Sequence, residues 1–389
     1  MKHITKESAA LVLAAMVLLI PLGCATRKPG SGLTDEMQQL VTGLVERDKS
    51  VKNCVLSVMK GDGSLSWSGA AGIAKQNGQV PMTKDTPIYI ASVLKLYTAT
   101  VIMRLCEEGA LSLDDPMSRF LPEGLIRGIH VYKGKDYSRE ITIGELLANT
   151  SGIADYYTER PKGGKSVFEL LLENPEREWR VDETIEWARD KLEPHFPPGT
   201  AAFYSDTNFD LLGKIIEAVT GQPLHTVYED SIFRPLGLTH TWLIERSAPQ
   251  VPTAPADVFY KDRNITNIRS NSAYWPCMVS TAEELISFLK ALNEERIIKR
   301  DTLERMHTWH TLRFPLQYGY GTMYFKLPPL ATMVTNMRPL WGHSGSTGSF
   351  LYYSSDLNLY MAGTIDQVES PSKPFRLMAG VMRVVKSRL

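Results

Sequence analysis

Strand-like segments near both ends of the chain, helical periodicity through the middle, and one helix-length segment that is apolar on nearly every face predict an α+β fold. The expected architecture is an α/β sandwich: an antiparallel sheet built from N- and C-terminal strands, flanked by helices, with a mainly helical region inserted between them. The 389 residues suit one large domain or two intimately joined ones. Hydrophobic residues make up 43% and charged residues 22%, which suits a sizeable buried core and excludes collagen, coiled coil and disorder. Lys+Arg 43 balance Asp+Glu 43 and no basic patch stands out, so no nucleic-acid partner is expected. Cys24, Cys54, Cys106 and Cys277 form no CxxC pair and the histidines form no HExxH, so no metal, cofactor or disulfide framework is indicated.

The elements follow in order. Lys2 and Lys6 precede an uncharged run, Ala9 to Leu22, then Gly23-Cys24 and a polar stretch, the pattern of a signal peptide over 1–23. The run is shorter than the ~20 apolar residues of a spanning helix. A small residue before a cysteine resembles the bacterial lipobox, in which Cys24 becomes the lipidated first residue. Pro21 departs from that pattern, leaving a cleaved soluble protein or an uncleaved anchor as alternatives. The expected location is the bacterial cell envelope, with membrane contact through the lipid alone, and the oligomeric state is not fixed by the sequence. Residues 24–33 read as a Gly/Ser/Pro tether and 34–389 as the folded domain, opening with a helix over 34–48 capped by Thr34. Alternation from Cys54 to Met59, a Gly61-Asp62-Gly63 turn and the run from Leu65 to Ile73 predict a hairpin. Val93 to Leu105 predicts a buried helix containing the odd residue Lys95, with Gly109 near its end. Thr142–Glu145 and Ser280–Glu283 read as capping boxes, and Gly221 closes a helix that starts near Thr207. Leu316 to Lys326, Ser349 to Tyr353 and Leu359 to Ile365 have strand composition, and Pro374 to Arg388 reads as a closing helix.

A serine and a lysine three residues apart on a helix share one face, which places an amine beside a hydroxyl and so can activate a nucleophile. Four such pairs occur: Ser57/Lys60, Ser92/Lys95, Ser287/Lys290 and Ser370/Lys373. The first lies in a strand, where the two side chains point apart, the third has a solvated lysine on an amphipathic helix, and the fourth is in a loop. Ser92 differs because it heads the buried helix, where N–H groups favour developing negative charge and Lys95 is a buried cation. An N-cap serine and a snorkelling lysine are the bland readings of the same pair. Tyr204 lies on the loop entering the helix closed by Gly221, where an amphipathic packing aromatic is its alternative reading. Trp341-Gly342-His343-Ser344-Gly345-Ser346-Thr347-Gly348 precedes the hairpin at 349–365, and a strand histidine with one backbone partner is the alternative for His343.

Taken together these segments resemble the serine β-lactamase and penicillin-binding-protein superfamily, in the branch of class C β-lactamases, D,D-carboxypeptidases and related esterases. Its motifs S-x-x-K, Y-x-N and K-T-G or H-x-G stand here, in order, as Ser92-Val93-Leu94-Lys95, Tyr204-Ser205-Asp206 and His343-Ser344-Gly345. The likeness extends over roughly residues 50 to 385 through Leu111–Pro116, Leu146–Gly152, Pro235–Leu238 and Val279–Ala282. It implies a β-lactamase-like fold, Ser92 as nucleophile, Lys95 and Tyr204 as the proton-handling pair, and an oxyanion hole from the backbone N–H groups of Ser92 and Ser346. His343, Gly345 and Asp206 would contact substrate. Two departures stand out. Asp206 replaces the family's asparagine, putting an acceptor-only carboxylate beside Lys95 and Tyr204 unless it merely caps a helix. His343 stands where β-lactamases mostly carry lysine, which tilts the expectation toward peptidases and esterases. No G-x-S-x-G occurs.

The resulting expectation is an exported serine hydrolase working through an acyl-enzyme on Ser92, on small esters or D-amino-acid peptides. The alternatives are a class C-like β-lactamase and a penicillin- or cell-wall-binding lipoprotein that has lost turnover. Substrate choice would reside in the segments 122–142, 155–195 and 246–275.

Overall fold

The computed structural model describes residues 32–388 apart from 245, 248–249, 251–252, 267, 269–277, 330–331, 333–337 and 369. The expected signal peptide with Cys24, nearly all of the expected tether and Cys277 lie outside the described residues. The N-terminal helix α1 (Leu33–Arg47) leads into β1 (Asn53–Lys60), β2 (Ser66–Lys75) and the short β3 (Val80–Pro81). The helical region contains α2 (Leu94–Glu107), α3 (Ile143–Leu147), α4 (Val181–Lys191), α5 (Asp206–Thr220) and α6 (Ala282–Asn293), with further short helices and strands between them. The chain then returns to the sheet as β4 (His310–Arg313), β5 (Leu316–Tyr318), β6 (Met323–Phe325), β7 (Leu340–Ser344), β8 (Phe350–Ser354) and β9 (Leu359–Thr364), and closes with α7 (Ser372–Lys386).

These strands form a nine-stranded sheet in the order β4-β5-β6-β7-β8-β9-β1-β2-β3, antiparallel throughout. The seam between the two ends of the chain is β1 on β9, with Val55 opposite Thr364 and Lys60 opposite Leu359. Alternate residues of each strand serve two different cores because successive side chains leave a strand on opposite faces. Val55, Leu351, Tyr360 and Ala362 face the helical region, where α2, α5 and α6 pack. Leu56, Val58, Phe350, Tyr352 and Met361 face α1 and α7. A third, smaller cluster of Tyr156, Val167, Leu171, Trp179 and Ala188 holds the 155–190 segment together.

Several expectations shift by a residue or two. Gly32 precedes the first helix and Thr34 lies inside its first turn. The second expected capping box does not form: Ser280 ends a strand, and Thr281 caps the helix by accepting the Glu284 N–H, while the Glu284 carboxylate turns to His240 and Thr241. Leu316 to Lys326 is two strands around a reversal at Gly319–Thr322, because Gly321 takes φ +65° and breaks the run. Lys373, read as a loop residue, belongs to α7 and pairs with Asp48 at 2.8 Å. The box at Thr142 forms as expected, with reciprocal bonds of 3.2 and 2.8 Å to Glu145, and Gly221 closes α5 at φ +66°.

Candidate active site

Ser92 lies in a single 3-10 turn, Ala91–Val93, that runs directly into α2. The helix is buried along almost its whole length, so Lys95, one turn on, is only 1% exposed and does not reach solvent. Snorkelling is therefore not its role. Its Nζ stands 3.2 Å from Ser92 Oγ, and on its other side it forms an ion pair with Asp206. The Tyr204 hydroxyl is hydrogen-bonded to Ser92, and the Tyr204 ring centroid lies 5.0 Å from Lys95 Nζ. The three sequence motifs thus meet at one point, the first and second in direct contact.

The second motif is placed by a seam of hydrogen bonds to residues 149–155. Phe203 N–H donates to Asn149 O at 2.8 Å, and the Asn149 side-chain oxygen accepts from Ser205 N–H at 3.0 Å and Asn208 Nδ2 at 2.8 Å. Ala154 O accepts from Ser205 Oγ at 3.0 Å and Thr207 Oγ1 at 2.7 Å. Asp155 accepts the N–H of Asp206 at 3.0 Å, so an acid from a separate segment sits at the N-terminus of α5, where the exposed N–H groups favour it. The helix begins at Asp206, with Ser205 as the flanking residue, and the Asp206 carboxylate points to Lys95 rather than capping its own helix. The capping alternative is set aside by this geometry.

Two more carboxyls lie around that ion pair. Burial and the charge of Asp206 push Asp155 up to about 7 and Asp210 up to about 8. The Thr184 hydroxyl stands 2.8 Å from Val181 O and 2.5 Å from Asp210 Oδ2. It has one proton for two acceptors, so the second contact is satisfied when Asp210 is the protonated acid and donates to Thr184. Asp155, Asp210 and Tyr318 escaped the sequence reading. For Asp210 a signal existed, since it lies four residues beyond Asp206 and so on the same face of a buried helix.

The third motif is strand β7 and the turn after it. His343 is fully buried, its Nδ1 lies 2.8 Å from Ser344 O, and its Nε2 lies 3.1 Å from the Tyr318 hydroxyl. A carbonyl oxygen only accepts, so Nδ1 carries the proton and Tyr318 donates to Nε2. Burial and the Lys95 charge push the imidazole down to about 3, and it is neutral. His343 was expected to line the cleft and bind a substrate's acyl tail or carboxylate; both its nitrogens are used within the protein, and the ring is a neutral strut between β7 and β5. Gly345, expected to contact substrate, has a packing duty. A Cβ there would stand 2.4 Å from Ile90 O and 3.0 Å from the Ala91 Cβ, so the absent side chain is what lets β7 run against the Ser92 turn. Ser349 Oγ and Thr347 Oγ1 fasten the same contact by donating to Ile90 O at 2.7 Å and Tyr89 O at 2.8 Å. Ser346 is the exposed corner of the turn that Gly348 N–H closes onto Gly345 O at 3.0 Å.

A family model described as Beta-lactamase matches residues 38–379. The chain belongs to the beta-lactamase family. Among solved structures, a D-stereospecific amidohydrolase from Streptomyces sp. superposes with a TM-score of 0.72 at 30% identity, covering 88% of this chain and 97% of that one. Among curated proteins, penicillin-binding protein 4 of Amycolatopsis lactamdurans is 31% identical over 179 residues, 46% of this chain and 42% of its own length. A protein of Escherichia coli (strain K12), provisionally named D-alanyl-D-alanine carboxypeptidase, is 34% identical over 189 residues, 46% of this chain and 41% of its own. This beta-lactamase-family chain thus spans about two-fifths of the length of these curated relatives. Among the described residues, no helix is long and apolar enough to cross a membrane, and no His, Cys, Asp and Glu side chains are grouped to hold a metal.

Proposed function

We propose that the protein is a serine hydrolase that forms an acyl-enzyme on Ser92 from small neutral esters or from amides and peptides of D-amino acids. The observation that carries this reading is the contact of Ser92 Oγ with both Lys95 Nζ, at 3.2 Å, and the Tyr204 hydroxyl, at the head of a buried helix. A serine hydroxyl becomes an effective nucleophile when a neighbouring group takes its proton, and here two candidates for proton handling touch it. Ser92 Oγ attacks the substrate carbonyl, the oxyanion is received by the backbone N–H groups of Ser92 and Ser346, and a proton passes back to the departing alcohol or amine. Water then repeats the sequence to release the acid. The charge pattern favours substrates without a free carboxylate near the nucleophile, because Asp206 takes the Lys95 cation and His343 is neutral. Penicillins and free D-Ala termini carry that carboxylate, so they are the poorer substrates. The Streptomyces relative, a D-stereospecific amidohydrolase, supports the D-amino-acid side of the reading.

The test is active-site labelling with a fluorophosphonate, followed by turnover of an aryl ester, a D-amino-acid amide and a chromogenic cephalosporin. Ser92→Ala should abolish labelling and lower turnover by at least about 1,000-fold, while Ser287→Ala changes neither. Full labelling of the Ser92→Ala protein would remove the assignment. Capture of one equivalent of cephalosporin with no turnover of any substrate would turn the reading to a binder.

A further inference from the structure

The ion pair between Lys95 and Asp206 poses a chemical difficulty for the reading above, because a lysine paired as an ammonium has no lone pair with which to take the proton of Ser92. The other neighbours do not remove it. Burial and the negative charge of Asp206 hold the Tyr204 hydroxyl well above its usual range, the reverse of what a tyrosinate base needs. His343 has both nitrogens engaged and touches neither Ser92 nor Lys95 through a hydrogen bond. What remains is the carboxylate on the far side of the lysine.

Building on the proposed serine-hydrolase chemistry, we propose that Asp206 is the terminal proton acceptor of Ser92, reached through Lys95. As Ser92 Oγ bonds to the substrate carbonyl carbon, its proton moves to Lys95 Nζ while a different proton of Lys95 moves to Asp206 Oδ1. Lys95 is an ammonium before and after. The negative charge leaves Asp206, now a neutral acid, and appears on the carbonyl oxygen, so the site as a whole keeps the same charge. When the tetrahedral adduct collapses, the bond to the leaving group breaks and the proton returns from Asp206 through Lys95 to the departing oxygen or nitrogen, with Tyr204 bonded to Ser92 along the path. Nothing is oxidised or reduced, and no co-reactant is required.

The surroundings of Asp206 balance it for this work. Lys95 from α2 pairs with it, and it stands in the first turn of α5. Asp155, which accepts the Asp206 N–H, and Asp210 from the same helix are pushed toward their protonated forms by burial and by the charge of Asp206, so the charge of this cluster resides on Asp206 beside Lys95. The remaining titratable groups around it are Tyr204 on the entry to α5, Tyr157 beside Asp155, Tyr318 on β5 and His343 on β7, all neutral hydroxyls or imidazole. Lys95 and Asp206 are 1% and 4% exposed, so bulk water does not compete for the protons they exchange.

The experiment follows the rate of fluorophosphonate labelling of Ser92 across pH, in the full protein and in Asp206→Asn, with the labelled peptide identified by mass. Asparagine matches aspartate in size and shape, so the fold should survive. The expected result is a labelling rate at least about 100-fold lower at neutral pH, the size of a lost general base, and an acid limb displaced to higher pH because Lys95 must then shed a proton before it can act. A second measurement needs no variant. In mixtures of light and heavy water the wild-type rate should follow a curved dependence on deuterium fraction, as two protons in flight require. A straight line, or an Asp206→Asn protein labelled at the wild-type rate, overturns the relay while leaving Ser92 as nucleophile. A slowed variant with an unmoved acid limb also overturns it, since a purely structural loss has that signature. If wild-type Ser92 takes no label at all, the relay and the hydrolase reading fail together.

Discussion

Ala91 takes a left-handed backbone conformation, φ +46°, immediately before Ser92. A residue with a Cβ pays for that region of backbone space with roughly 1 kcal/mol or more, so the turn persists only because its neighbours over-determine it. Ser349, Thr347 and the bare Cα of Gly345 supply the constraint, Gly345 as the last residue of the third motif and the other two from the segment just after it. Ala91→Val adds β-branching to the strained position and pushes into Gly345. It should cost about 1–2 kcal/mol and slow labelling of Ser92, and unchanged melting and labelling would show that the turn carries no strain. None of this was legible in the sequence, because a left-handed alanine leaves no compositional mark. Ser92, Lys95 and Asp206 were legible for the opposite reason: spacing on one helix and a motif two positions after a tyrosine are local properties. His343 was found by position, but its bond to Tyr318 was not legible, since that partner is 25 residues away and joined to it only through the sheet.

At the scale of elements, α2 is clamped on one side by the sheet and on another by the reversal between β5 and β6. Gly321, at the centre of that reversal, sits so close to α2 that a Cβ would stand 2.3 Å from the Ala99 Cβ and 2.8 Å from Lys95 O. The carbonyl of the lysine that faces Ser92 therefore rests directly on a β-turn glycine. Gly321→Ala is disfavoured twice, by φ +65° and by contact with helix backbone that has no room to move. The expected outcome is a lower melting temperature together with a labelling rate reduced by at least about ten-fold, as Lys95 is displaced from Ser92. Loss of stability with labelling fully retained would show that the helix shifts without disturbing the pair. The sequence marked the strands on either side but joined them into one run, because aromatic and β-branched composition continues through Tyr318-Gly319-Tyr320-Gly321 and only the backbone conformation breaks it. The seam between 149–155 and 203–208 was likewise hidden, although both segments had been noted: pairing of loops is set by side-chain bonds such as those of Asn149, which have no periodicity to read.

For the molecule as a whole, the sandwich was legible because strands at the two termini have no other way to bury their faces than on each other. Gln367 Nε2 donates to Ser50 O at 2.8 Å across 317 residues of sequence. Less visible was the acid content of the interior. Burial raises Asp155 and Asp210, and holds Asp366 well above the carboxylate range, so the folded protein retains protons near neutrality that an unfolded chain has already lost. For Asp210 the sign can be worked through. Its folded value is about 8 against 3.8 for a free side chain. Its contribution to stability is therefore complete below about pH 4 and declines as pH rises, reaching its full loss above about 8. Asp210→Asn removes the titration while its amide can still donate to Thr184, as the acid proton does. The variant should melt close to wild type at pH 4.5 and progressively above it toward pH 9. Melting curves across that range decide the matter: parallel curves, or a variant that falls further behind as pH rises, would mean that Asp210 is ionised in the folded state and that Thr184 gives its proton to the carboxylate.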